Sequence, residues 1–93
     1  MSLKNKKILI IIGGGIAAYK SLDIIRLLKK SGCFVKAILT KSGKEFVTPL
    51  SVTTLTGSRT FEEIFDKDSE GEIDHISLSR WADIIIVMPT TAN

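Results

Sequence analysis

Five consecutive apolar residues followed by three glycines constrain this sequence more than any other feature. Residues Ile8 to Ile12 are isoleucine or leucine throughout, a pattern typical of a strand buried on both faces of a parallel sheet. Gly13 to Gly15 come next, and from Ile16 to Lys30 the apolar residues recur with a helical period. Because strand, glycine turn and helix in this order open a βαβ unit, the sequence predicts an α/β fold.

The rest of the chain continues the same alternation. We predict strands at Phe34 to Leu39 and Ile84 to Met88, a turn at Thr40 to Gly43, helical pieces at Lys44 to Phe46, Leu50 to Leu55 and Phe61 to Phe65, an acidic loop at Asp66 to Glu72, and one short helix within Ile73 to Ala82. About three parallel strands with helices on both faces form only the first part of a Rossmann-like or flavodoxin-like sheet. Residues 1–93 are therefore predicted to be the N-terminal portion of a single domain, with Met1-Ser2-Leu3 treated as a cloning remnant.

Composition excludes several classes of protein. The 93 residues are 44% hydrophobic and 25% charged, which is ordinary globular chemistry. Cys33 is the only cysteine, so neither an internal disulfide nor a multi-cysteine metal site is expected. The net charge of +3 is too mild to indicate a nucleic-acid partner. The apolar run at Ile8 to Ile12 is far shorter than the roughly 20 residues of a membrane span, so we predict a cytoplasmic protein without a membrane partner.

Ligand chemistry is expected where the parallel strands end. Ligands of such sheets bind beyond the carboxyl ends of the strands, near the switch in strand order. The segments at these ends are rich in glycine and hydroxyl residues: Gly13-Gly14-Gly15, Thr40-Lys41-Ser42-Gly43 and Pro89-Thr90-Thr91-Ala92-Asn93. Glycine lets backbone N–H groups approach an anion, and the helix that begins near Ile16 directs its positive end to the same place. A ligand that carries a phosphate is the natural expectation, with Thr40, Ser42, Thr90 and Thr91 as further hydroxyl donors.

These residues leave the ligand and the role of the histidine open. Gly13, Gly15 and Ala18 match the dinucleotide fingerprint G-x-G-x-x-A, but one match is a weak signal. NAD-binding proteins of this fold also have an acidic residue at the end of the second strand. Lys41 lies there instead, a residue that is compatible with NADP. A tight turn without ligand is the structural alternative. His75, the only histidine, is placed at a loop-to-helix junction from which it could reach the rim, and it suits proton transfer near neutral pH, although a lone histidine is more often structural.

Five segments in order resemble one known family. They are Lys7-Ile8-Leu9-Ile10, Gly14-Gly15-Ile16-Ala17-Ala18-Tyr19-Lys20, Thr40-Lys41 with Glu45-Phe46-Val47-Thr48-Pro49-Leu50, His75-Ile76-x-Leu78-x-x-Trp81-Ala82-Asp83, and Pro89-x-Thr91-Ala92-Asn93. Together they resemble the phosphopantothenoylcysteine decarboxylases, which belong to the flavin-containing cysteine decarboxylases. The resemblance covers essentially the whole chain after residue 3. It is far more specific than the glycine turn alone.

The resemblance implies an FMN-dependent lyase of coenzyme A biosynthesis. Such an enzyme oxidises the cysteine moiety of 4′-phosphopantothenoylcysteine with FMN, and the resulting thioaldehyde loses CO₂ before the reduced flavin returns the electrons to give 4′-phosphopantetheine. The residues implied to hold FMN are Gly14, Gly15, Ile16, Ala17, Thr40, Lys41, Ser42, Thr91, Ala92 and Asn93. His75 is implied to be catalytic, and Phe46 to pack near the flavin or substrate. The implied partners are this small-molecule substrate and further copies of the chain in a trimer-based homo-oligomer; no metal is implied.

Departures from the family pattern keep alternatives open. Gly15 and Thr91 stand where serine occurs in some relatives, and the family's later P-x-M-N-x-x-M motif and substrate-clamping cysteine are not among these 93 residues. Cys33 follows the first helix and is expected to be a small buried residue instead. A 93-residue product is therefore expected to be inactive. A peptidyl-cysteine decarboxylase, a flavin prenyltransferase and a non-catalytic flavin-binding regulatory subunit remain alternatives.

Overall fold

The described residues form eight elements of secondary structure. The computed structural model describes residues 2–62 and 70–88, with the backbone alone over 70–75. The elements are β1 (Lys7–Ile12), α1 (Ala17–Lys30), β2 (Phe34–Leu39), a 3-10 turn (Gly43–Glu45), α2 (Pro49–Thr56), β3 (Phe61–Glu62), α3 (Glu70–Trp81) and β4 (Ile84–Met88). No helix in the described part of the chain is long and apolar enough to cross a membrane.

The strands form one parallel sheet in the order β3-β2-β1-β4. Strand β1 lies between β2 and β4, with Ile10 in register with Ala37 on one side and with Ile86 on the other. The chain therefore leaves β1 towards β2 and later returns to the opposite side of β1. This reversal is the switch in strand order at which ligands of such sheets bind. The predicted parallel α/β fold is confirmed, with a fourth, two-residue strand that the sequence did not predict.

Helices cover both faces of the sheet, as predicted. Alternate residues of a strand point to opposite faces. Ile8, Ile10 and Ile12 pack with residues of α1 and α2 into the larger hydrophobic cluster. Leu9 belongs to a smaller cluster on the other face, together with Leu78 of α3. Strand β1 is thus enclosed on both sides, which explains its uninterrupted apolar sequence.

Strand β4 departs from its predicted environment. The sequence predicts a strand buried on both faces, but Ile84, Ile85 and Val87 are 40%, 46% and 59% exposed. Strand β4 pairs only with β1 among the described residues, so it forms an edge of the sheet. On the face that α3 covers, Leu78 packs against Leu9 of β1 and Ile38 of β2, so it does not cover β4. The apolar sequence was read correctly as a strand, but its neighbours within the described chain do not cover it.

The second half of the chain brings two further corrections. Phe61 and Glu62 were predicted to begin a helix, but they form β3, in register with Ile38 and Leu39. Residues 70–72 were assigned to an acidic loop, but α3 already begins at Glu70; residues 63–69 lie outside the described part. Pairing to β2, a contact distant in sequence, decides the conformation of β3.

Helix α2 has the ends that its sequence predicts. Its N-cap is Thr48, whose side-chain oxygen accepts a hydrogen bond from the Ser51 backbone N–H at 3.0 Å. Pro49 occupies the first turn, and Gly57 ends the helix with a left-handed φ of 74°. These are the usual roles of threonine, proline and glycine at helix ends.

Candidate functional site

The ends of the three longer strands meet at one edge of the sheet. The Gly13 backbone N–H donates to the Met88 carbonyl at 3.0 Å, which joins the glycine loop to the end of β4. The Thr40 N–H donates to the Ile12 carbonyl at 3.0 Å, which joins the end of β2 to the end of β1. The glycine loop therefore lies at the switch point, between the two other strand ends. This arrangement agrees with the expected position of a ligand site.

Two of the three predicted loops are in close contact. A Cβ atom added to Gly14 would lie 2.9 Å from Cβ of Ser42 and 3.2 Å from its Oγ. A Cβ added to Gly43 would lie 2.6 Å from the Ile12 carbonyl oxygen. Real Cβ contacts of this kind are essentially never this short, so both positions require the absence of a side chain. The glycines thus allow the first and second loops to form one continuous surface.

The N-terminus of α1 opens onto this surface. Ile16 is its N-cap and makes no side-chain capping hydrogen bond, and the first turn holds no acidic residue. Gly15, immediately before, has a φ of +94°, which a residue with a side chain rarely adopts. An uncapped first turn offers backbone N–H groups and the positive end of the helix dipole. Gly14, Gly15, Ile16 and Ala17 therefore form the kind of backbone cradle that binds a phosphate.

The second loop divides its polar groups between structure and binding. The Thr40 hydroxyl donates to the Ile12 carbonyl at 3.1 Å and accepts from the Gly43 N–H, also at 3.1 Å. These two hydrogen bonds hold the second loop against the end of β1. Ser42, half-buried with its Oγ 3.4 Å from that of Thr40, and exposed Lys41 are the other polar side chains of this loop.

Aromatic and aliphatic side chains border the cradle. The rings of Tyr19 and Phe46 meet edge to face, with centroids 5.8 Å apart and an interplanar angle of 81°. Tyr19 is 53% exposed and Ile16 is 72% exposed, one helical turn apart on α1. Phe46 was predicted to pack near a flavin or substrate, whereas Tyr19 was not predicted as a site residue, although its spacing of three residues from Ile16 places both on one side of α1. This apolar border can receive a flat ring whose phosphate lies in the cradle.

The structure places the backbone of His75 within α3, six positions before its last residue. The prediction of a loop-to-helix junction is therefore wrong, because the helix begins five residues earlier than His75. One helical turn further along lies Leu78, which is buried against the sheet. The side chain of His75 lies outside the described atoms, and so does the third loop with Thr91, Ala92 and Asn93.

This edge of the sheet has the architecture of a ligand site of parallel α/β proteins, because a glycine loop and an open helix end lie at its switch point. Two solved structures share the fold. MrsD from a Bacillus species superposes with a TM-score of 0.77 at 24% identity, over 95% of this chain and 50% of its own. The FMN-dependent cysteine decarboxylase SpaF superposes with a TM-score of 0.74 at 16% identity, over 96% of this chain and 51% of its own.

Sequence comparison then gives the family. The model of the Flavoprotein family matches residues 1–93, so the chain belongs to that family. It is 44% identical over 92 residues to the coenzyme A biosynthesis bifunctional protein CoaBC of Vibrio vulnificus and 40% identical over 93 residues to CoaBC of Escherichia coli K12. These matches cover 99% and 100% of this chain but 23% of each relative. The family resemblance derived from the motifs is confirmed.

Proposed function

We propose that this chain is the FMN-binding N-terminal part of a phosphopantothenoylcysteine decarboxylase, a cytoplasmic carboxy-lyase of coenzyme A biosynthesis. The observation that carries the proposal is the uncapped start of α1, packed through Gly14 against Ser42 at the switch point. CoaBC relatives, matched along this whole chain, support the biosynthetic assignment. SpaF, an FMN-dependent cysteine decarboxylase of the same fold, supports the choice of flavin.

The described residues fit a flavin mononucleotide. The backbone N–H groups of Gly15, Ile16 and Ala17 would hold its phosphate at the helix start, where the dipole favours an anion. Gly14 keeps the two loops together, Ser42 would donate a hydroxyl hydrogen and Lys41 would add positive charge. The border of Ile16, Tyr19 and Phe46 offers the apolar contact that a flavin ring needs. Thr91, Ala92 and Asn93 are assigned to the same site through the family resemblance.

Bound FMN would supply a reversible two-electron acceptor for the cysteine moiety of the substrate, next to the carboxylate that leaves as CO₂. The task of the protein is to orient the substrate and to exclude water from this edge of the sheet. We assign to His75 the transfer of a proton at the reacting cysteine moiety, because an imidazole titrates near neutral pH. The mature site in this proposal is completed by further copies of the chain in a trimer-based homo-oligomer.

Titration of FMN with the chain tests the cofactor assignment. We expect the flavin absorption bands to shift and the flavin fluorescence to change in a saturable manner. Lys41→Gln should weaken binding roughly tenfold, since a hydrogen bond to a charged group is lost. Lys30→Gln, an equal charge change at an exposed residue at the far end of α1, should leave binding unchanged. Absence of saturable binding, or equal loss in both variants, contradicts the proposal.

Substitution of His75 tests the catalytic assignment separately. In the full-length protein that carries this sequence, His75→Asn should keep FMN bound but reduce CO₂ release from 4′-phosphopantothenoylcysteine by about 10²-fold or more, the usual contribution of a general acid or base. Full CO₂ release with bound FMN would remove His75 from the mechanism and leave the binding site intact. CO₂ release from a peptide with a C-terminal cysteine, and none from the small substrate, would indicate a peptidyl-cysteine decarboxylase instead.

A further inference from the structure

A second hollow lies at the opposite end of the sheet from the glycine loop. It has a volume of about 300 Å³ and is lined by the first residues of β1 and β2, the ends of α1, α2 and α3, and Ser58. Its principal side chains are those of Lys7, Lys29, Phe34, Lys36 and Trp81. Strand β1 separates it from the cradle by six residues, or about 20 Å. A molecule bound in one site therefore leaves the other free.

The hollow exists because β3 is short. Strand β3 is in register only with Ile38 and Leu39 of β2, so the first four residues of β2 have no neighbouring strand on that side within the described chain. Phe34 is in register with Lys7, and Lys36 projects to the same face of the sheet as Phe34 because the two are two positions apart. Trp81, at the end of α3, packs over this uncovered stretch, with its ring 4.6 Å from Nζ of Lys36.

The described residues that line the hollow carry positive charge and no negative charge. Lys7, Lys29 and Lys36 come from three different elements, and no carboxylate is among the residues that line the hollow. The two ion pairs given by the described residues join Arg26 to Asp23 and Lys44 to Glu62, so they leave these three lysines without an acidic partner there. The nearby Asp83 carboxylate accepts a hydrogen bond from the Lys7 backbone N–H at 2.9 Å, so its contact with Lys7 is to the backbone and not to the ammonium group.

We propose that this hollow binds a small aryl phosphate. Two aromatic side chains, Phe34 and Trp81, offer faces to a flat apolar group, and such a group stacks or packs edge to face with them. The three ammonium groups match a phosphate dianion, for which lysine is a common point-charge ligand. An apolar lining with a few charged groups is the usual composition of a small-molecule site, and the volume suits a one-ring ligand.

Trp81 provides an internal reporter, because it is the only tryptophan in the sequence. Phenyl phosphate added to the chain should change the tryptophan fluorescence in a saturable manner, and calorimetry should give the same affinity. Inorganic phosphate and phenol, which each carry half of the ligand, should bind at least tenfold more weakly. Equal affinity for inorganic phosphate, or for phenol, overturns the proposal, as does the absence of saturation.

Variants separate this site from a general attraction between cations and anions. Lys7→Gln and Lys29→Gln should each weaken phenyl phosphate binding about tenfold, measured by calorimetry with the fold checked by circular dichroism. Lys30→Gln changes the charge equally at an exposed residue that does not line the hollow, and it should bind like the unmodified chain. Equal weakening in all three overturns the proposal. Gly14→Ala alters the cradle and should leave phenyl phosphate binding unchanged. The FMN proposal and this proposal can therefore fail separately.

Discussion

Gly14 is the residue at which the first and second strand-end loops touch. Gly14→Ala would place a methyl group 2.9 Å from Cβ of Ser42, so the two loops must separate. We expect the free energy of unfolding to fall by about 1–3 kcal/mol, the usual effect of overpacking, and FMN binding to weaken because the phosphate cradle is displaced. Urea unfolding and FMN titration measure the two effects.

Gly57→Ala is the matched control. A Cβ at Gly57 meets nothing within 4 Å, but its φ of +74° is unfavourable for alanine. We expect a loss of about 1–2 kcal/mol from backbone strain, with FMN affinity unchanged where both variants are folded. If Gly57→Ala weakens FMN binding as much as Gly14→Ala does, loss of stability rather than loop separation explains the effect.

For single residues, the sequence predicts a role correctly when that role depends on neighbours along the chain. The glycine loop and the start of α1 were predicted because Gly13 to Gly15 and the helical period from Ile16 are adjacent in the chain. The hydrogen bond from the Thr40 hydroxyl to the Ile12 carbonyl could not be predicted, since the two residues are 28 positions apart in the chain. Hydroxyl groups bind whichever acceptor the fold brings near them.

Among the elements, α2 offers a test of a local capping interaction. Thr48→Ala removes the side-chain oxygen that accepts from the Ser51 N–H. The free energy of unfolding should fall by about 1 kcal/mol, typical of a lost N-cap. Thr54→Ala is the control, because its exposed hydroxyl only donates back to the Leu50 carbonyl within the same helix. It should change stability by less than about 0.5 kcal/mol. Equal losses in urea unfolding would show that Thr48 is not a significant cap.

The sequence predicts well those elements whose own residues carry a hydrophobic pattern or helix-end residues. Strand β2 was predicted with both ends correct, and α2 was bounded by Pro49 and Gly57. Strand β3 was predicted as helix because two residues carry no period, and only its pairing with Ile38 and Leu39 makes it a strand. The start of α3 was misplaced because the acidic residues there resemble a loop as much as a first helical turn.

For the whole molecule, burial is the property that the sequence alone predicts least well. Ile8 to Ile12 and Ile84 to Met88 have almost the same composition, yet the first run lies at the centre of the sheet and the second at its edge. An apolar strand sequence indicates which surface must be covered, but what covers it is set by strand order. Ile85 and Val87 are 46% and 59% exposed because no described residue covers this side of β4, and the chain spans only about half the length of the solved structures that share its fold.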